Sequence, residues 1–253
     1  MTLTPSMFLI LCPLVFLAGF IDAIAGGGGL ISLPAYYLIG LPPSLAAGTN
    51  KLSASMGTVL ATVNYSRNGK IHYNAGIPAG LGALAASVLG VLVMKSLPEN
   101  TVRVLVMCCI PLAAIFTLKS RKESPAKMLS RRQTMGIALL IGCAIGFYDG
   151  LIGPGTGTFL ILLFMRLMGM EAVQASGTAK LVNLCSNLAA LTSLLFTGDV
   201  LFWLGLPAGL CAMGGAWLGS RLTIRRGAGM VRGMMLCVLA LLLLDMGSKL
   251  AFS

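Results

Sequence analysis

The sequence predicts an all-α, polytopic membrane protein of two homologous halves, and three observations support this fold class. Apolar residues occupy 57% of the 253 positions and charged residues only 10%, whereas soluble domains carry about 25% charged residues. The mean hydropathy of the chain is +0.92. Long apolar segments follow one another, and the second set repeats the first. A bilayer is the solvent in which such a chain can fold.

The apolar segments supply the predicted membrane helices. They lie at 7–39, 44–66, 75–95, 101–118, 133–168, 172–196, 203–220 and 229–248. Each is long enough for the roughly 20 residues with which a helix crosses the bilayer core.

The first and fifth segments differ from the others because glycine interrupts them. The interruptions are Gly26-Gly27-Gly28-Gly29 and Gly153-Pro154-Gly155-Thr156-Gly157. Glycine also lets membrane helices pack closely, which explains isolated glycines well. Four in a row are explained poorly in this way, since each costs about 1 kcal/mol of helix propensity relative to alanine. We therefore predict irregular backbone at 26–29 and 153–157.

An internal duplication appears when the sequence is compared with itself. A shift of 127 residues aligns GFID at 19–22 with GFYD at 146–149, and after a two-residue insertion a shift of 129 holds from Gly40 to Cys108. A single register over this length indicates a repeat. The predicted organisation is a first transmembrane repeat at 1–118, a basic cytoplasmic linker at 119–132 and a second transmembrane repeat at 133–253.

The direction of the second half depends on how the interrupted segments cross the membrane. If each crosses once, the halves are parallel and the arginines around 221–226 face outside. If each contributes two elements, the halves are inverted, both termini lie outside, and loops 67–70, 119–132 and 221–226 are all cytoplasmic. Cytoplasmic loops are rich in lysine and arginine, so the charge pattern favours inverted repeats.

Composition also excludes several classes of partner. The net charge of +11 comes from short basic clusters between apolar runs rather than from one stripe, which argues against nucleic-acid binding. The seven cysteines lie in apolar stretches without metal-site spacing, and His72 is the single histidine. We therefore predict no metal and no cofactor. The expected partners are the lipid bilayer and a small anionic substrate, and the sequence leaves the oligomeric state open, with a homodimer as one option.

Charged residues inside the apolar segments are the candidates for function, because burying charge in a membrane is costly. Asp22 and Asp149 precede the two glycine-rich interruptions. Lys51 and Lys180 follow them, just after Gly48-Thr49 and Gly177-Thr178. Each half thus offers an acid, a base and a glycine-rich turn.

The glycine-rich turns are suited to anion binding. A helix that begins after such a turn presents unpaired N–H groups and the positive end of its dipole, and glycine lets an anion approach this backbone. Duplicated halves with paired broken helices indicate the binding site of a secondary transporter. The predicted substrate-binding residues are Gly26, Gly27, Gly28, Gly29, Thr49, Asn50, Lys51, Gly153, Gly155, Thr156, Gly157, Thr178, Lys180 and Asn183, and the predicted coupling residues are Asp22 and Asp149.

Other interpretations remain open at this stage. Lys51 could neutralise Asp22, and Lys180 could neutralise Asp149, as purely structural pairs. An intramembrane enzyme is disfavoured because a nucleophile with a placed base and an H-E-x-x-H metal motif are both lacking. A channel or a non-transporting assembly partner is the remaining alternative.

Three segments carry a resemblance to a known family: GFIDAIAGGGGLISLPAYYLIGLPPSLAAGTNKL in the first half, and GFYDGLIGPGTGTFLILLF and SGTAKL in the second. Together they resemble the TauE/SafE family of sulfite-exporter-like membrane proteins. The resemblance covers nearly the whole chain. It implies a multi-pass protein of the bacterial cell (inner) membrane that transports sulfur-containing oxyanions, organosulfonates or related carboxylates. Alternating access around Gly26–Gly29, Lys51, Gly153–Gly157 and Lys180 is the expected mechanism.

Overall fold

The computed structural model describes residues 5–98, 101, 129–231, 233 and 234. Linker 119–132 and the predicted segments 101–118 and 229–248 lie largely outside the described residues. All regular elements in the described ranges are α-helices. Their bounds are α1 Pro5–Ala25, α2 Gly29–Leu38, α3 Pro43–Arg67, α4 Tyr73–Ser96, α5 Arg131–Leu151, α6 Thr156–Met168, α7 Ala172–Phe196 and α8 Phe202–Arg226.

Five of these helices, α1, α4, α5, α7 and α8, are long and apolar enough to cross a membrane. Helix α3 has 25 residues but carries many buried polar side chains, among them Lys51, Ser53, Ser55 and Thr58. Helices α2 and α6 have 10 and 13 residues and follow α1 and α5 after short interruptions. The described part of the chain is therefore an all-helical bundle with two short inner helices.

Helical conformation stops at both glycine-rich segments. Gly26 has φ of +78°, and Gly153 and Gly155 have φ of +88° and +84°, values that favour glycine because it lacks a Cβ. The non-helical residues are 26–28 and 152–155. Both interruptions are shifted slightly from the predicted ranges, because Gly29 and Thr156 already begin the next helices.

Local signals start the other helices. Pro43 opens α3, where the missing N–H of proline costs nothing because the first turn of a helix has no partner for it. Ser130 and Gln133 form a reciprocal capping box at the start of α5, which satisfies two of the free donors of that turn.

Small residues let the helices pack closely in two matching contacts. Helix α4 lies along α5, where a Cβ atom at Gly146 would come 2.4 Å from the Ala83 Cα. Helix α1 lies along α8, where a Cβ atom at Gly215 would come 2.0 Å from the Phe16 carbonyl oxygen. Any larger residue at these glycines would push the helices apart.

Helices α3 and α7 cross in the centre and run in opposite directions. Gly48, near the start of α3, packs on the carbonyl of Asp199 beyond the end of α7, and Gly177, near the start of α7, packs on the carbonyl of Lys70 beyond the end of α3. Helices α1 and α8 run parallel to α3, and α4 and α5 run parallel to α7.

These directions separate the charged residues into two ends of the bundle. One end, called the basic end below, carries the last turns of α3 and α8 and the first turn of α5, with Arg67, Arg226 and Arg131. The opposite end carries Lys95 and Asp199, whose side chains form an ion pair of 2.6 Å.

Candidate functional site between the broken helices

The two interruptions touch each other in the middle of the bundle. The amide of Thr158 donates to the carbonyl of Gly26 over 3.2 Å. A Cβ atom at Gly26 would lie 2.1 Å from the Gly157 carbonyl carbon, and one at Gly157 would lie 2.5 Å from the Gly26 Cα. Backbone contact this close is open only to glycine, so these two residues determine how the breaks meet.

Four of the charged residues in the apolar segments form two ion pairs, and each pair joins a residue of the first predicted repeat to one of the second. Lys51 contacts Asp149 with an Nζ–Oδ2 distance of 2.7 Å, and Lys180 contacts Asp22 at the same distance. The pairing of each lysine with the aspartate of its own half, considered above as a structural alternative, is wrong. Because α3 and α7 are antiparallel, each lysine is carried to the break of the other half.

The Lys51–Asp149 pair is the more extensively hydrogen-bonded of the two. The Lys51 ammonium also donates to Asn187 Oδ1 over 2.9 Å. Asp149 accepts from the Thr156 hydroxyl over 2.8 Å, and its side chain is 3% exposed while that of Lys51 is 10% exposed. Since an ammonium has three donors, Lys51 retains one N–H beyond those given to Asp149 and Asn187.

In the Lys180–Asp22 pair the aspartate side chain, and not the lysine side chain, is the more exposed member. Lys180 is fully enclosed at 0%, whereas the Asp22 side chain is 20% exposed. The second carboxylate oxygen of Asp22 accepts from the amide of Gly28 over 3.3 Å. This carboxylate therefore also occupies part of the space at the start of α2.

A cavity of about 70 Å³ lies between the breaks, α3 and α7. A single water needs roughly 10–15 Å³ of such volume, so the cavity holds several water-sized groups. The predicted residues that line it are Asp22, Gly26, Gly28, Gly29, Asn50, Lys51, Asp149, Gly153, Gly155, Thr156, Gly157 and Asn183.

Four predicted residues lie outside this lining: Gly27, Thr49, Thr178 and Lys180. Thr49 accepts from the amide of Leu201 over 3.1 Å, and Thr178 accepts from the amide of His72 over 3.0 Å. Leu201 and His72 immediately precede α8 and α4. The two threonines thus join neighbouring helices.

Sequence reasoning missed Asn187, which is 4% exposed and lines the cavity. Its amide nitrogen lies 3.5 Å from the Thr58 hydroxyl. Lys180, Asn183 and Asn187 have the spacing i, i+3, i+7 and therefore share one helix face. Extending that face by one turn from Asn183 would have found it.

The short inner helices begin at this cavity. In the described residues, the amides of Gly29 and Gly157 have no hydrogen-bond acceptor, as expected for the first turn of a helix. Both residues line the cavity. Two helix N-termini, each equivalent to about half a positive charge, and the Lys51 ammonium thus surround one space. The described ranges contain no group of three His, Cys, Asp or Glu side chains that could hold a metal ion.

Comparison with known proteins gives one family over most of the chain. The family described as "Sulfite exporter TauE/SafE" matches residues 11–246. A "Probable membrane transporter protein ORF9" of a Sinorhizobium species is 38% identical over 88% of this chain and 85% of its own length. A "Probable membrane transporter protein" of Haemophilus influenzae is 33% identical over 87% and 86%, and the Escherichia coli protein YfcA, with the same description, is 31% identical over 94% and 89%.

Proposed function

This chain belongs to the sulfite exporter TauE/SafE family of bacterial multi-pass membrane transporters, and from that premise we propose that it is a secondary transporter of a small anion. The substrate class is a sulfur-containing oxyanion or an organosulfonate. The central observation is the cavity at which two helix N-termini and the Lys51 ammonium meet.

Charge balance supports an anion as the occupant. Lys51, Lys180, Asp22 and Asp149 carry two positive and two negative charges in two pairs, so they cancel. The dipoles of α2 and α6 remain, and their positive ends face the cavity. An anion at this position receives the unpaired amides of Gly29 and Gly157 together with the spare N–H of Lys51.

Glycine at the interruptions gives the anion access to those amides. Gly28, Gly29, Gly155 and Gly157 all line the cavity and present backbone instead of side chains. Oxyanions of sulfur and sulfonates carry several acceptor oxygens, which match donors that converge from two helices. Asn50 and Asn183, which also line the cavity, add neutral donors.

Inverted repeats and alternating access are part of the proposal. In support, α3 and α7 are antiparallel, and matched positions make matched contacts, as in the bonds from Leu201 to Thr49 and from His72 to Thr178. The basic end contains Arg67, Arg131 and Arg226. Cytoplasmic loops of membrane proteins are rich in arginine. The basic end would then face the cytoplasm.

Membrane potential favours export of a singly charged anion by about 2.3 kcal/mol per 100 mV, because the cell interior is negative. Uptake would require a coupled cation, and a proton on Asp22 or Asp149 could fulfil that role. Of the two, Asp22 has the more accessible carboxylate at 20% against 3%.

Flux into proteoliposomes tests this proposal. Purified protein is reconstituted, and uptake of sulfite, sulfate, a short alkanesulfonate and a short carboxylate is measured with and without an imposed potential. We expect saturable flux of at least one sulfur anion that responds to the sign of the potential. Flux that rises linearly with concentration would indicate a channel, and absence of flux for all four anions would contradict the substrate class.

A further inference from the structure

We propose that the hydroxyl groups of Tyr65, Thr158 and Ser176 form a latch that closes the cavity toward the basic end, and that each transport cycle opens it. The inference rests on the proposed function. It concerns the residues that set the conformational equilibrium, whereas the preceding proposal concerns those that contact the anion.

Four consecutive carbonyl groups at the end of α1 accept the hydrogen bonds of the latch. Its hydrogen bonds are Tyr65 Oη to Ala23 (2.8 Å), Ser176 Oγ to Ile24 (3.1 Å), Thr158 Oγ1 to Ala25 (2.8 Å) and Thr158 N to Gly26 (3.2 Å). The last four carbonyls of a helix lack partners within the helix. Here three helices, α3, α6 and α7, supply the donors, and two of them belong to the second half. The end of α1 is thereby fixed to both halves at once.

In the described residues, the opposite end of the bundle contains a further cavity. A second space of about 170 Å³, called the vestibule below, lies beside Lys95 and Ser44. The vestibule and the central cavity share lining residues, namely Leu33, Ala47, Met94 and Ile152. These apolar side chains are the partition between the two spaces, and no side chain that bears a hydrogen-bonding group is among them.

The sequence repeat shows that the two ends are unequal versions of one arrangement. Ser44 and Ala47 line the vestibule, and the shift of 129 matches them with Val173 and Ser176. Val173 is only 3% exposed and Ser176 is 0% exposed, because the latch end is packed. A state in which the halves exchange these conformations would open the basic end and close the vestibule.

The donors of the latch are also unequal between the halves. The residue matched with Ser176 is Ala47, and the residue matched with Tyr65 is Leu194. Neither can donate a hydrogen bond from its side chain. The exchanged state therefore lacks at least two of the bonds that hold the present one, so the hydroxyl groups bias the protein toward the state that is closed at the basic end.

Cysteine accessibility tests the latch without reference to any substrate. The seven native cysteines are replaced, and Ser44→Cys or Val173→Cys is introduced as a reporter for the vestibule or the basic end. A membrane-impermeant maleimide is applied to each face of the membrane in turn. Ser176→Ala should raise labelling of the Val173 reporter relative to that of the Ser44 reporter, with the ratio of the two changing by about fivefold, the effect of one hydrogen bond on a two-state equilibrium.

Two further variants make the test specific. Ala47→Ser adds a hydroxyl at the matched vestibule position and should shift labelling in the same direction as Ser176→Ala. Ser87→Ala is the control, since Ser87 is fully buried and donates to the Ser186 carbonyl across the halves, away from the latch. It should leave both reporters unchanged.

The outcomes separate the latch from the proposed function. Unchanged labelling in Ser176→Ala and Thr158→Val, with both variants monodisperse in detergent, would overturn the latch, as would an equal shift in Ser87→Ala. Shifted labelling without flux of any tested anion would support the latch and contradict the substrate class. Flux of a tested anion, together with unchanged labelling in the latch variants, would support the proposed transport function and overturn the latch.

Discussion

The two intramembrane ion pairs occupy matched positions in the sequence and yet differ in which member is the more exposed. In the Lys51–Asp149 pair the lysine side chain is the more exposed member, at 10% against 3%. In the Lys180–Asp22 pair the carboxylate is accessible at 20% and the lysine is fully enclosed. Residues that the sequence shift matches therefore have unequal environments. The more exposed member is a lysine in the first pair and an aspartate in the second.

The largest expected effect is on stability, at the fully enclosed lysine. Asp22→Asn leaves Lys180 charged with no counter-ion, and breaking a buried pair in this way costs about 3–5 kcal/mol. Thermal unfolding of the purified variant should show a large drop in Tm. Lys180→Met added to Asp22→Asn should restore stability.

The same experiment has a matched control within the chain. Lys51→Met added to Asp22→Asn pairs residues of one half and should give no rescue, because these residues are not partners. Rescue by Lys51→Met instead of Lys180→Met would refute the crossed pairing.

The next effect compares the two glycine-rich interruptions. Gly26→Ala places a Cβ atom 2.1 Å from the Gly157 carbonyl carbon at φ of +78°, so backbone strain and overpacking add to about 2–5 kcal/mol. Gly153→Ala has a similar φ, but its nearest neighbour lies at 3.4 Å, and only the strain of about 1–2 kcal/mol applies. Unfolding midpoints should rank wild type, Gly153→Ala and Gly26→Ala in decreasing order. Equal losses would mean that the breaks do not meet at Gly26.

Transport, as well as stability, should respond to the loss of Lys51. Lys51→Met removes a charged donor worth about 1.5–3 kcal/mol to an anion, which corresponds to a rise in KM of roughly 10–100-fold. Asp149 keeps its bond to Thr156 but loses its counter-ion, so the Tm of the variant should fall as well. Concentration-dependent flux in proteoliposomes measures KM.

A double variant separates binding from pair maintenance. Lys51→Met combined with Asp149→Asn removes the carboxylate that Lys51→Met alone leaves unpaired. It does not restore the donor that the anion has lost, so the KM of the double variant should stay high. Recovery of wild-type KM in the double variant would exclude Lys51 from the substrate site and leave the helix N-termini as its main donors.

The smallest effect concerns Asn187, which orients Lys51 through a 2.9 Å hydrogen bond. Asn187→Leu removes one bond of about 1 kcal/mol, so KM should rise about fivefold with little change in Tm. Thr192→Val on the same helix is the control, because Thr192 is exposed and donates only to the Leu188 carbonyl within α7. A larger effect for Thr192→Val would show that Asn187 has no particular role.

Much of the site could be predicted because glycine and buried charge leave strong local signals. Runs of glycine disrupt a helix wherever it lies, and ionisable residues in apolar segments are rare, so Asp22, Lys51 and the two breaks were identifiable from the chain alone. Asn187 was missed although helical spacing pointed to it, and Thr49, which was predicted to bind substrate, accepts a hydrogen bond from Leu201 and does not line the cavity. Both cases depend on the direction in which a polar side chain faces.

The sequence by itself determined the membrane class, the positions of both interruptions and the identity of the charged residues, since all of these follow from composition and local propensity. Only the tertiary structure decided which charges pair and which member of each pair is the more exposed. The reason is that these properties depend on how α3 and α7 cross. Lys51 and Asp149 are 98 residues apart, and Asp22 and Lys180 are 158 residues apart. Contacts over such separations follow from the packing of whole helices.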